Sequence, residues 1–341
     1  MNLCRPFPLL IRLLLLLSAC WVIPISAESL PHDTHDTELP TWAPGTTKST
    51  LLDFVERVSR PGSKDFVPEP ERIAVFDHDG TLWVEQPVHP QLAFVVDRVR
   101  THARQFPGWR DKQPFKAAIE GDYETLARGG SAAVMQLAMA TLAGLSTEQA
   151  TDLANTWVAS ARHPRFRRAY TELAYAPMLE LLDYLRARGF KTWIVTAGGA
   201  DFVRAFSERV YGIPPEQVIG SSLKTQFDMS GNRAALIQVP QVANINNRDA
   251  KPVAIQRVIG RRPILAFGNS DGDLQMLQWS TSGTRPHLAA LIHHTDGSRE
   301  WKYDSPSPVG RLDVALREAP RNGWLIVDMK RDWRRLFPSD P

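Results

Sequence analysis

A four-residue apolar run, Ile73-Ala74-Val75-Phe76, breaks directly into Asp77-His78-Asp79-Gly80-Thr81. A short continuous apolar run bounded by turn residues fits a strand buried on both faces, the kind found in parallel sheets. Open parallel sheets place their ligands just beyond the carboxyl ends of the strands, so an acid at Asp77 is a site candidate. Two carboxylates spaced i and i+2 can divide a phosphoryl transfer between them. One attacks phosphorus and forms an acyl phosphate, while the other protonates the leaving oxygen and later activates water. The competing reading is a strand end followed by an ordinary Asp/Gly turn. The downstream sequence decides between the two.

Three further pieces follow, each at the end of an apolar run or the start of a helix. Thr192-Trp-Ile-Val-Thr196 runs into Ala197-Gly198-Gly199, where a hydroxyl and unhindered backbone amides suit phosphate oxygens. Taken alone, this is equally a strand-to-helix turn rich in small residues. Lys251 precedes Pro252, which favours the first turn of a helix. Ile264-Leu-Ala-Phe-Gly268 breaks into Asn269-Ser270-Asp271-Gly272-Asp273 and resumes as an apolar helix through Leu277. Its oxygen donors match the hard-ligand preference of Mg²⁺, although acids are also favoured at any helix N-terminus by the helix dipole.

In this order, the four pieces resemble the motifs of the haloacid dehalogenase superfamily, specifically its phosphatases. The match spans residues 72 to 277. The resemblance implies Asp77 as nucleophile, Asp79 as general acid/base, Thr196 as a phosphate-binding hydroxyl, and Lys251 as the charge that steadies the phosphorylated aspartate. It also implies Mg²⁺, held by Asp77, the backbone carbonyl of Asp79, and Asn269, with Asp273 orienting a water. Asn269 departs from the commoner aspartate at its position, and Asp271 is a candidate to compensate for the lost charge. On this reading Asn269→Asp is expected to tighten Mg²⁺. Asp79 separates the chain from dehalogenating relatives, which lack this carboxylate because a halide leaves without a proton.

The 341 residues, 43% of them hydrophobic, suffice for a sizeable core. Met1 to Arg12 carries two arginines, and Leu13 to Ile25 is uncharged and strongly apolar, ending Ile25-Ser-Ala27. This reads as a secretory signal, shorter than a membrane span, cleaved after Ala27. The alternative is Leu17-Ser-Ala-Cys20, which looks like a bacterial lipobox and would make 1–19 a lipoprotein signal and Cys20 a lipid anchor. Without residues 1–27 the formal net charge falls from +3 to +1. That leaves no composition argument for nucleic acid. Both cysteines, Cys4 and Cys20, lie in the leader, so the remainder has no disulfide, which an oxidising compartment tolerates.

Residues 28–46, rich in Pro, Thr, His and Asp, read as a linker. Thr47 to Ser59 follows as an amphipathic helix through Leu51, Phe54, Val55 and Val58. Residues 86–176 read as mostly helical, with Ser146 and Gln149 forming a capping box and Met135, Ala138, Leu142 and Leu145 an apolar stripe. After residue 177 helices and strands alternate, which argues for an α/β fold with a Rossmann-like parallel sheet. The expected organisation is a hydrolase core of 47–85 and 177–341 with a helical cap, 86–176, inserted between the first two motifs. Such an insertion resembles the cap of the phosphoserine-phosphatase-like branch. Glu85, Gln86 and Gly198 are candidate substrate contacts, with Lys112, Lys116, Arg162, His163, Arg165 and Arg168 as further polar candidates from the cap. His293-His294 reads as a strand end, since adjacent residues on a strand face opposite ways. The expected function is an exported, Mg²⁺-dependent phosphomonoester hydrolase acting through an aspartyl phosphate on a small phosphorylated metabolite. Two alternatives stand beside it: a phosphotransferase of the same superfamily, and a non-catalytic envelope binding protein on the same fold.

Overall fold

The computed structural model describes residues 38–230 and 233–340, which belong to one compact unit. Both leader readings, the Cys20 anchor and residues 28–37 of the expected linker lie outside the described residues. In chain order the elements are α1 (Thr46–Ser59), β1 (Ile73–Phe76), α2 (Pro90–His102), α3 (Phe115–Glu120), α4 (Tyr123–Leu142), α5 (Thr147–Ser160), α6 (Ala176–Ala187) and β2 (Lys191–Gly199). They continue as α7 (Ala200–Arg204), α8 (Ser207–Tyr211), β3 (Val218–Asp228), β4 (Ala235–Asn244), α9 (Ala250–Ile259), β5 (Leu265–Gly268), α10 (Leu274–Thr281), β6 (Leu288–His293), α11 (Val314–Glu318), β7 (Leu325–Asp328) and α12 (Met329–Asp332).

The described strands form one sheet in the order β4-β3-β2-β1-β5-β6-β7, parallel throughout except for β4. This is the expected α/β class. All four residues of β1 are buried because both of its faces are covered. Ala74 and Phe76 belong to the core on one face, with α1, α2 and α6; Ile73 and Val75 belong to the other, with α9, α10 and α11. That two-sided burial explains why the strand is written as an unbroken apolar run rather than an alternating one. From β1 the chain builds outward through β2 and β3, then returns to place β5 on the opposite side. The gap between β1 and β5 is therefore a topological switch point, where open α/β sheets bind ligands. Asp77 leaves one of these strands and Asn269 the other, and the Asp77 amide donates to Phe267 O at 2.9 Å.

Strand β2 carries a distortion that shapes the site. Val195 pairs with Ile219, but the next pair is Gly199 with Ser221. Four residues of β2 thus oppose two of β3, and Thr196 to Gly198 bulge out of the ladder. Bulges re-aim side chains beside active sites. Between the first two motifs the segment is helical, as expected. Ser146 Oγ accepts from Gln149 N and Gln149 Oε1 from Ser146 N, completing the capping box. Helix α4 breaks at Gly130, whose φ of 55° needs a residue without a Cβ. The β3–β4 hairpin was not expected from sequence. It also supports the helical segment, since Gly144 N donates to Gln238 O and Gln238 N to Leu145 O.

The linker reading fails where it can be checked. Trp42 is fully buried, packs edge-on against Trp333 at 6.0 Å and donates from Nε1 to Pro177 O at 2.9 Å. Thr41 donates from its amide and its hydroxyl to Glu180 Oε2. Polar composition suggested a tether, but one indole with a satisfied N–H outweighs its neighbours once it finds a pocket. Among the described residues no helix is long and apolar enough to cross a membrane.

Candidate active site

Lys251, in the first turn of α9, is 1% exposed and has all three ammonium protons engaged. Nζ donates to Asp77 Oδ1 at 2.6 Å, to Asp273 Oδ1 at 2.6 Å and to Val195 O at 2.8 Å. It therefore ties together the ends of β1, β2 and β5. Asp273 is fully buried, and its other oxygen accepts from the amides of Asn269 and Ser270, both at 3.1 Å, and from Ser270 Oγ at 3.2 Å. One carboxylate thus closes the loop after β5 and fixes the lysine. Gly268 is required for this closure, because a Cβ there would stand 2.5 Å from Asp273 Cβ.

Asp79 lines the same cavity as this cluster. Trp83 Nε1 donates to Asp79 Oδ1 at 2.7 Å, which leaves Oδ2 without a hydrogen-bond partner among the described residues, 3.8 Å from His89 Nδ1. The bulge in β2 supplies the next component. Gly198 N donates to Thr196 Oγ1 at 2.9 Å, so the hydroxyl keeps its own proton for another acceptor. Gln91 Oε1, from α2, accepts from Gly199 N at 2.6 Å, and buried Asn246 donates to Thr196 O at 2.9 Å. Helix α2 is thereby tied to the bulge.

Burial, assisted by the charge of Asp273, pushes the Asp77 carboxyl up to about 7, with Lys251 pulling the other way. For Lys251, burial alone would lower the pKa, but Asp273 and Asp77 outweigh it and raise it above the ordinary lysine range. The ammonium is charged. Burial holds Glu85 well above the usual carboxylate range; the Tyr303 hydrogen bond opposes this and Asp79 and Asp77 add to it. His78 is pushed down to about 4 by burial, against the pull of Asp79. Its neutral ring stacks near Trp83 and meets Tyr211 Oη at 3.0 Å.

Asp77, Asp79, Glu85, Thr196, Gly198, Lys251 and Asp273 all line one cavity of about 710 Å³. Asn269 is buried beside it, with Oδ1 accepting from Thr81 Oγ1 at 3.0 Å and Nδ2 donating to Glu85 Oε1 at 2.7 Å. Other sequence candidates lie elsewhere. Gln86 Nε2 is bound to Val309 O at 3.1 Å and Ser307 Oγ at 3.3 Å, so it anchors a loop and is not free to contact substrate. Asp271 reaches the cavity, yet its Oδ1 accepts from the amides of Asp313 and Ala315 at the start of α11. One of its oxygens thus caps that helix. Lys112, Lys116, Arg162, His163, Arg165 and Arg168 do not line the cavity. Arg165 covers Trp301, Arg168 pairs with Asp340, and His163 meets Gln86 O at 2.7 Å. His294 ends up doing more than closing a strand: fully buried, it meets Gly80 O at 2.8 Å through Nε2 and Glu300 Oε2 at 3.2 Å through Nδ1.

Sequence reasoning missed His89, Gln91, Arg128, Arg248, Arg311 and Tyr303, of which all but Tyr303 line the cavity. Among the described residues no cluster of three or more His, Cys, Asp or Glu side chains is arranged to hold a metal. The donors the sequence points to, the Asp77 carboxylate, the Asp79 carbonyl and the Asn269 amide oxygen, are all hard oxygens with one carboxylate side chain among them. Such a set fits a cation that keeps several waters, as Mg²⁺ does.

Residues 74–278, more than half of the chain, match the model of the haloacid dehalogenase-like hydrolase family. The chain belongs to that family and is a hydrolase of it. A conserved, functionally unknown protein from Anaerococcus prevotii DSM 20548 is similar in structure, with a TM-score of 0.52 at 17% identity over 82% of this chain and 90% of that one. A protein of unknown function from Bordetella pertussis Tohama I has a TM-score of 0.49 at 16% identity, over 76% and 99% of the two chains. A phosphoserine phosphohydrolase-like protein from Francisella tularensis has a TM-score of 0.39 at 16% identity, over 66% and 89%. At 17% identity the first of these likenesses is one of fold. No curated protein sequence matches.

Removing the lysine tests the electrostatic account. Lys251→Met leaves two buried carboxylates facing each other and is expected to cost about 3–5 kcal/mol of stability in the absence of divalent cations. The loss should grow with pH. Without the ammonium the Asp77 carboxyl rises further above its unfolded value near 4, so the native variant holds a proton that the unfolded chain has released. Stability then falls as pH climbs through that window. Denaturant unfolding at pH 6 and pH 8 measures it, and equal losses at both would contradict the charge assignment.

Proposed function

We propose that this hydrolase is a Mg²⁺-dependent phosphomonoesterase that works through a phosphorylated Asp77. The observation that carries the reading is the Lys251 ammonium, 2.6 Å from both Asp77 and Asp273, at the switch point of a parallel sheet. A cation fixed beside a strand-end carboxylate offsets the charge that accumulates when a phosphate dianion approaches an anionic nucleophile.

Asp77 attacks phosphorus and becomes the acyl phosphate. Asp79, held by Trp83 through one oxygen, offers the other to the leaving group as a proton donor and then takes a proton from the attacking water. The Thr196 hydroxyl, which accepts from Gly198 N and keeps its own proton to donate, receives a phosphate oxygen. Asp77, the Asp79 carbonyl and Asn269 would hold Mg²⁺, with Asp273 behind them. When bound, the ion supplies positive charge that draws the phosphoryl oxygens and the nucleophile together. Lys251 keeps Asp77 oriented and keeps Asp273 from repelling it.

The cavity volume lies in the range typical of small-molecule sites. Arg128 from the helical segment and Arg248 and Arg311 from the core line it, and their charges favour entry of an anionic metabolite. We further propose export, on the apolar leader: either cleavage after Ala27 or acylation of Cys20. Cell fractionation of Cys20→Ser tells these apart, because only a lipid-anchored protein moves from the membrane to the soluble envelope fraction.

The two carboxylates should fail differently. Asp77→Asn is expected to abolish turnover of every ester, because no acyl phosphate can form. Asp79→Asn should slow alkyl phosphates by about 10² to 10⁴ in the first step, since an alkoxide needs a proton to leave. Nitrophenyl phosphate needs none. With it the variant should release a burst of nitrophenol and then stall. Equal losses on alkyl and aryl esters without a burst would remove Asp79 from the acid/base role, and product analysis with an added alcohol separates hydrolysis from transfer.

A further inference from the structure

Asn269 and Glu85 are joined across 184 residues of chain by a 2.7 Å hydrogen bond from Nδ2 to Oε1. Both side chains are almost fully buried. Tyr303 Oη donates to the same Glu85 oxygen, also at 2.7 Å. Space for the carboxylate is cut from two glycines of positive φ. A Cβ on Gly80 would stand 2.1 Å from Asn269 Nδ2 and 2.5 Å from Glu85 Oε1, and a Cβ on Gly310 would stand 1.8 Å from Glu85 Oε1. Tyr303 in turn stacks on His294 at 4.4 Å, and His294 bonds to Gly80 O. The carboxylate is therefore built into the motif-one loop from several sides.

An amide has one donating and one accepting end, whereas a carboxylate only accepts. With Thr81 Oγ1 donating on one side and Glu85 Oε1 accepting on the other, only one flip of Asn269 satisfies both neighbours.

We propose that Glu85 is a positioning residue for the cation site: its Oε1, fixed by Tyr303, accepts from Asn269 Nδ2 and so locks the amide in the orientation that presents Oδ1. This reassigns Glu85 from substrate contact to support of the metal shell. The inference rests on the Mg²⁺ reading of the site.

Binding of Mn²⁺ to the full chain, followed by loss of the free-ion EPR signal and by Mg²⁺ competition, tests it without turnover. Glu85→Leu removes the oxygen that accepts from Asn269 and Tyr303, and should weaken binding by about 10- to 100-fold, the usual range for residues that support metal ligands. Glu85→Gln keeps an oxygen in that place and should stay within a few-fold of the wild type. Thermal unfolding in EDTA establishes which variants are folded, and if Glu85→Leu is not, Glu85→Ala takes its place. Wild-type affinity in the variant without the oxygen, or an equal loss in Glu85→Gln, overturns the proposal alone. Absence of Mn²⁺ binding by the folded wild-type protein overturns the metal reading and this inference with it.

Discussion

The ammonium of Lys251 is the interaction on which the site depends. Three segments that are far apart in sequence, the ends of β1 and β2 and the loop after β5, converge on one buried nitrogen. Without it, Asp77 would face the charge of Asp273 in a low-dielectric interior with nothing to offset it, and its carboxyl would be pushed up further. With it, both accept hydrogen bonds from a fixed cation, and the nucleophile candidate is pinned by one oxygen. A buried ion cluster of this kind is weak evidence for stability in itself. Its presence at the switch point, where the fold already concentrates ligand binding, is better explained by chemistry.

The fold supplies what the cluster needs. Strands β1 and β5 lie side by side with Phe76 stacked on Phe267 at 5.4 Å, so the loops that follow them begin from a rigid pair. The bulge in β2 turns Thr196 and Gly198 toward that pair, and α2 reaches over through Gln91 to hold the bulge. The residues that follow motif one are tied down by the loop before α11, through Tyr303 to Glu85 and Val309 to Gln86. Loops of this kind are usually the mobile part of an α/β enzyme; here buried polar contacts fix them.

Much of this was legible because the informative residues are local. Asp77 and Asp79 follow an apolar run of strand length, Lys251 precedes a helix-favouring proline, and Asp273 opens a helix; each signal is contained in a short stretch of chain. What was not legible depends on contacts between distant segments. Nothing near Tyr303 or Asn269 in sequence says that both side chains donate to Glu85. The capping role of Asp271 is hidden for the same reason, since the amides of Asp313 and Ala315 lie 42 and 44 residues away. Residues 38–46 read as a tether because composition averages over a segment, whereas Trp42 alone decides where it packs. The β3–β4 hairpin was missed for a related reason. Its strands expose large apolar residues such as Phe227 and Leu236 and lack the clean alternation of a half-buried strand.

The central claim is that Asp77 carries phosphate during turnover. Quenching the enzyme in acid during steady-state hydrolysis of a phosphomonoester with Mg²⁺ preserves an acyl phosphate, and peptide mass spectrometry then locates it. The account predicts one added phosphoryl group on the peptide containing Asp77, removable by hydroxylamine and absent from Asp77→Asn. Phosphate on any other side chain, or continued turnover with an unmodified Asp77 peptide at every quench time, would contradict it.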